Sequence, residues 1–79
     1  PNPFTNTSTI TYELGKTTNV KITLTDVLGK TLVLYNNPEQ AAGKHTLAMN
    51  ATGLRLAKGM YFVQLETGKG QSFMKVIVK

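Results

Sequence analysis

A chain of 79 residues with no cysteine is sized for one domain that buries only about 60% of its unfolded surface and has no disulfide, so its core must carry the fold. The lack of cysteine also removes thiolate nucleophiles and thiolate metal ligands, and no run of ~18 apolar residues is present to span a membrane as a helix. Nine Lys and Arg against four Asp and Glu give a net charge of +5, a mild bias toward anionic partners.

The chain opens on Pro1-Asn2-Pro3-Phe4, where two prolines fix φ and disfavour helix in the residues before them, so an extended segment at a domain border is expected. The start on Pro1 without an initiator methionine reads as a fragment from the end of a larger polypeptide. No charged-then-apolar leader precedes the fold, so any export signal lies elsewhere. Residues 5–11 are rich in hydroxyls and lead into Ile10, Tyr12 and Leu14, which alternate with Thr9, Thr11 and Glu13. That is the pattern of a half-buried strand. Gly15-Lys16-Thr17-Thr18 reverses the chain, and Val20, Ile22 and Leu24 then alternate with Lys21, Thr23 and Thr25 in the cleanest period of two in the sequence.

Asp26-Val27-Leu28-Gly29 has the Asp and Gly that a type I turn prefers at its first and fourth positions. A third strand over residues 31–36 follows, with Leu32 and Leu34 on one face and Val33 and Tyr35 on the other, and Asn37-Pro38 is predicted to end it. Glu39-Gln40-Ala41-Ala42 falls well short of the ~12 residues an independent helix needs and reads as a loop closed by Gly43. His45, Leu47 and Met49 share one face of a fourth strand over residues 45–50. Residues 51–58 form a longer connection, able to carry the chain between sheets, with Leu54, Leu56 and Ala57 available to fold over the core. A terminal hairpin, residues 60–66 and 71–79 joined by Thr67-Gly68-Lys69-Gly70, completes six strands. In the last strand Met74, Val76 and Val78 face the core, while Phe73, Lys75, Ile77 and Lys79 face away. Lys75 and Lys79 stand roughly 13 Å apart at strand rise.

Short strands at close spacing with turn residues between them predict an all-β sandwich. Chemistry is not expected of it. The single histidine, His45, lacks partners, since Glu13, Asp26, Glu39 and Glu66 lie in separate strands, turns and loops without ligand spacing, so no catalytic residue, metal or cofactor is predicted. Gly68 and Gly70 join strands rather than open a helix and do not cradle phosphate. The sequons Asn6-Thr7-Ser8 and Asn50-Ala51-Thr52 are read as chance matches. Tyr12, Tyr35, Tyr61, Phe62 and Phe73 fall on strands without a lysine cluster, which argues against nucleic acid. A carbohydrate-binding or structural sandwich appended to a secreted enzyme is the alternative reading. Against the former, alternation sends Tyr61 and Phe62 to opposite faces, so they form no planar row.

Five segments, in this order and spacing, carry a resemblance that covers the whole chain. They are Pro1-Asn2-Pro3-Phe4; Val20-Lys21-Ile22 through Asp26-Val27-Leu28-Gly29-Lys30; Ala42-Gly43-Lys44-His45; Leu56-Ala57-Lys58-Gly59-Met60-Tyr61-Phe62-Val63; and Lys75-Val76-Ile77-Val78-Lys79. Together they resemble the C-terminal sorting domain, type A, of the Bacteroidetes type IX secretion system. Thr25 departs from the pattern, which often has an aromatic there. The resemblance implies an immunoglobulin-like β-sandwich of about seven short, mainly antiparallel strands, with residues 1–79 forming a single sorting domain and no enzyme. It implies a cargo joined to the N-terminal side and carried through the periplasm. Shuttle proteins and the outer-membrane translocon then deliver it to the surface or medium, where a sortase acts, with no nucleic acid and no direct membrane insertion. Carried over by position, translocon recognition falls on Gly59, Tyr61, Lys75 and Lys79, with Pro1, Asn2 and Pro3 marking the border. A partner is expected to grip the final strand by edge pairing or through its Lys75 and Lys79 face.

Overall fold

The computed structural model of the protein describes residues 2–4 and 7–79, with side chains from residue 8 onward. The described residues form an all-β sandwich: β1 (Asn2–Phe4), β2 (Thr7–Leu14), β3 (Thr18–Asp26), β4 (Thr31–Gln40), β5 (Gly43–Asn50), β6 (Gly59–Thr67) and β7 (Gly70–Val78). One sheet has the order β1-β7-β6-β3-β4, and the other is the pair β2-β5. All pairings are antiparallel except β1 with β7, which is parallel. All six strands read from periodicity are present, and the opening segment adds β1, too short to show a period of its own.

The core forms where the two sheets face each other. Val20, Ile22 and Leu24 of β3, Tyr61 and Val63 of β6, and Val76 and Val78 of β7 meet Ile10, Tyr12 and Leu14 of β2 and Met49 of β5. Burying each large aliphatic side chain contributes about 1.5–3 kcal/mol relative to exposure. Strand alternation delivers them because one face of each sheet is dry and the other wet. Thus Val20 and Ile22 are wholly buried, while Asn19 and Lys21 beside them are exposed.

Gly15-Lys16-Thr17-Thr18 reverses the chain as a crossing between sheets, since β2 pairs with β5 and β3 with β4 and β6. Other expectations are corrected. The third strand does not stop at Asn37-Pro38 but runs to Gln40, so Glu39 and Gln40 belong to a strand rather than a loop. Pro38 is tolerated because β4 is an edge strand and the register shifts there, between the pairs Thr18–Gln40 and Val20–Asn37. A second shift, between Ile22–Tyr35 and Thr23–Val33, leaves Leu34 as the extra residue of a bulge. Alternation therefore breaks: Leu34 and Tyr35 both pack against the core, while Leu32 and Val33 are both exposed.

The connection over residues 51–58 crosses from β5 to β6 as expected, tightened by bonds from Leu54 N–H to Asn50 O (2.9 Å) and from Leu56 N–H to Ala51 O (2.9 Å). Leu54 and Leu56 cover the core, but Ala57 is exposed and Ala51 is the buried alanine. The direction of the chain at this point, not apolarity, decides which of them turns inward.

Candidate functional site

Register gathers the sequence-predicted residues in one corner of the larger sheet. Gly59 lies opposite Val78, Tyr61 opposite Val76 and Phe62 opposite Lys75 across β6 and β7. On the far side of β7, Asn2 and Pro3 lie beside Val76 and Ile77, and Pro1 falls outside the described residues. The side chains do not form one patch, however. Tyr61 points into the core, whereas Lys75 and Lys79 are exposed on the other side.

Each residue is placed by local physics. Gly59 starts β6 at φ 148°, in the half of backbone space that L side chains avoid, with nothing within 4 Å of where a Cβ would stand. Its role is therefore conformational rather than steric. Tyr61 is 8% exposed, and its hydroxyl donates to Ala57 O at 2.6 Å, tying the crossover to the strand that follows it. Val76 and Val78 seat the last strand with 1% and 5% exposure, leaving Lys75 to project from the wet face.

Edge pairing with the end of the final strand is limited by β1, which occupies the outer edge of β7 over Val76, Ile77 and Val78. The expected grip on those three backbone positions is thus taken by the protein's own chain. Among the described residues, the part of β7 before Val76 has no strand paired on that edge.

His45 is held on both ring nitrogens: Nε2 to Ala41 O at 2.7 Å and Nδ1 to the Gln40 amide nitrogen at 3.1 Å. A carbonyl can only accept, so Nε2 carries the proton, Nδ1 accepts from Gln40, and Gln40 Oε1 is left to accept the Tyr12 hydroxyl at 2.8 Å. The Tyr12 and His45 rings lie 5.5 Å apart at an interplanar angle of 32°. This chain of bonds joins β2 and β5 of one sheet to the end of β4 in the other. Burial pushes the Tyr12 phenol above its usual range, partly opposed by the Gln40 hydrogen bond, with Tyr35 adding a smaller upward push. Among the described residues, no group of three or more His, Cys, Asp or Glu could hold a metal.

Sequence reasoning missed the work done by Asp26. Its Oδ1 accepts the N–H of both Leu28 and Lys30 at 2.9 Å, its own N–H donates to Lys30 O at 3.0 Å, and Gly29 N–H returns to Asp26 O at 3.1 Å with Gly29 at φ 90°. The Asp and Gly of the predicted turn were the visible signal for it. Next to this turn is a groove of about 460 Å³ whose lining includes Leu24, Leu32, Leu56 and Tyr61 together with the charged Asp26, Lys30 and Arg55.

These features define a small β-sandwich that offers shaped surface and an anchored terminal hairpin. The family model for the secretion system C-terminal sorting domain matches residues 1–79, and the chain belongs to that family. The family is that of the type IX secretion system, which implies Bacteroidetes. Membership makes the chain a sorting signal, with interaction with the secretion machinery and export to the cell surface or medium as its consequences. Comparison with curated proteins and with solved structures found no match.

Proposed function

We propose that this domain is a transport label without catalytic activity of its own, read by the outer-membrane translocon and shuttle proteins of the type IX system after periplasmic transit. The cargo is joined on its N-terminal side, near Pro1, Asn2 and Pro3, and a surface sortase acts at that border. The observation that carries this reading is the family match over residues 1–79. It agrees with a register that sets Gly59, Tyr61 and Lys75 on two adjacent strands, with Lys79 directly after the second. In this reading Gly59 and Tyr61 shape and anchor β6, Val76 and Val78 hold β7 down, and Lys75 and Lys79 are the charges a partner meets. The domain is fused behind a periplasmic reporter in a host that has the system, and the surface-delivered fraction is measured. Delivery in the wild-type host and its loss in a translocon-deficient host is the expected result. A reporter that stays in the periplasm of both would end the proposal.

A second reading, a carbohydrate module, draws on Phe62 and Phe73, which are 39% and 65% exposed and stand diagonally across β6 and β7. Retardation of the purified domain in polysaccharide affinity gels, abolished by Phe73→Ala, would favour that reading.

A further inference from the structure

Leu28 and Val27 sit at the tip of the β3–β4 turn with 88% and 64% of their surfaces exposed. The fold does not require this. The turn between β6 and β7, at the other end of the sheet, is made by Gly68 and Lys69, so a tip free of large apolar groups serves the same sheet. The backbone that carries the exposed pair is fixed, because the four hydrogen bonds around Asp26 close the turn from both sides. Exposing two apolar side chains to water costs solubility and gains nothing for the core. A bonded turn does lower the entropic cost of binding, since the backbone presenting them is already ordered.

The surroundings specify a partner. Register places Gly59 and Val78 at the same end as Asp26, because Asp26 lies opposite Tyr61 and Gly59 opposite Val78. Lys30, Arg55, Lys58 and Lys79 therefore lie at the same end of the sandwich as the tip, all exposed. Of the four carboxylates in the sequence, Glu13, Glu39 and Glu66 lie toward the opposite end of the sandwich. The fourth, Asp26, lies in the turn itself, its Oδ1 taken by two backbone N–H groups, and four cations at this end outnumber it. An apolar tip at a net cationic end complements an apolar pocket rimmed by carboxylates.

We propose that the Val27–Leu28 tip is the apolar anchor by which this domain docks on a protein of the secretion machinery, with Leu28 entering an apolar pocket and the cations of this end facing acidic groups around it. This rests on the sorting reading and says where on the domain that reading is executed. It moves the principal contact from the Lys75 face to the turn between β3 and β4.

The test uses the full domain fused to the reporter, with Leu28→Asp, Leu28→Met and Lys69→Asp compared to wild type for surface delivery and thermal melting. An exposed tip leaves melting unchanged. Loss of a central anchor should lower delivery at least about tenfold for Leu28→Asp, while Leu28→Met and the opposite-end control Lys69→Asp remain near wild type. If Leu28→Asp lowers melting, Leu28→Ser with Val27→Asn replaces it under the same criterion. Wild-type delivery from Leu28→Asp overturns the inference and leaves the sorting reading intact, whereas a wild-type fusion that is not delivered removes both. Two binding measurements identify other occupants. Flotation of the purified domain with phosphatidylglycerol vesicles that Leu28→Asp abolishes would assign the tip to lipid. A dimer in sedimentation that Leu28→Asp dissolves would assign it to a second copy. Either result overturns the protein-pocket assignment.

Discussion

The Tyr61 hydroxyl donates to the carbonyl oxygen of Ala57 at 2.6 Å, so the strand that follows the crossover fastens the crossover itself. Donor and acceptor are four positions apart, and the bond spans the point where the chain passes Gly59 at φ 148°. One side chain therefore contributes both its ring to the core and its oxygen to the loop.

Tyr61→Phe keeps the buried ring and leaves the Ala57 carbonyl to water or to no partner. The expected loss is about 1 kcal/mol, the net value of a typical hydrogen bond. Tyr61→Ala also empties the ring's site and should cost about 3–5 kcal/mol. Urea unfolding midpoints for the two variants read the difference directly, and equal midpoints for Phe and Ala would mean that the ring is not seated as described.

At Gly59 the cost of substitution is purely conformational. No atom lies within 4 Å of an added Cβ, so Gly59→Ala should destabilise by about 1–3 kcal/mol through backbone strain alone. Replacement by a D-alanine through chemical synthesis relieves that strain and should restore the wild-type midpoint. If both enantiomers behave alike, the positive φ is not what selects glycine here.

The bonds through Tyr12, Gln40 and His45 predict a response to alkali. Burial raises the Tyr12 phenol in the folded state, so the native protein holds that proton more tightly than the unfolded chain. The associated stability is complete below the unfolded phenol value of about 10 and is lost as pH rises through the higher folded value. Tyr12→Phe lacks the Gln40 hydrogen bond and should start about 1 kcal/mol less stable at pH 8. The gap to wild type should then narrow as pH rises above about 10 in melting experiments. A constant gap across that range would show that the Tyr12 phenol does not titrate differently on folding.

Much of the larger sheet could be read from the chain because the apolar side chains of β3 share one environment. Val20, Ile22 and Leu24 are at most 3% exposed, so the apolar half of the period survives from sequence to structure, although Thr23 on the opposite face is also buried. In β4 the same rule fails at Leu34, since a bulge inserts one residue without changing composition, and at Pro38, since an edge strand tolerates a missing donor. Pairing partners were less legible still. Nothing local in residues 7–14 says that β2 skips its neighbour to pair with β5, because pairing is settled by the joint burial of both apolar faces. β1 is three residues long and carries no pattern beyond Pro3. As for the site, Asp26 and Gly29 announce the turn that holds Val27 and Leu28, but the turn signal does not say how far these two side chains stand out from the sheet. Their exposure follows from where the turn falls relative to the sheet's end. The functional weight placed on Gly59, Tyr61, Lys75 and Lys79 came from the family resemblance rather than from periodicity.

Separating address from scaffold requires variants that change one without the other. Lys75 is exposed on β7 opposite Phe62, and Lys79 is exposed immediately after the strand, so Lys75→Ala with Lys79→Ala should alter stability by no more than about 0.5 kcal/mol. Val76→Ala, by contrast, removes buried methyls from a side chain with 1% exposure and should cost about 1–3 kcal/mol. If Lys75 and Lys79 are read by the machinery, the double lysine variant loses reporter delivery while melting like wild type. The Val76 variant would then lose delivery only to the extent that it loses folded protein. If the lysines instead serve only to keep the sheet face wet, the double variant is delivered normally, and recognition must lie on another surface. Measuring delivered fraction against folded fraction for both variants, in the same host, places each on one side of that line.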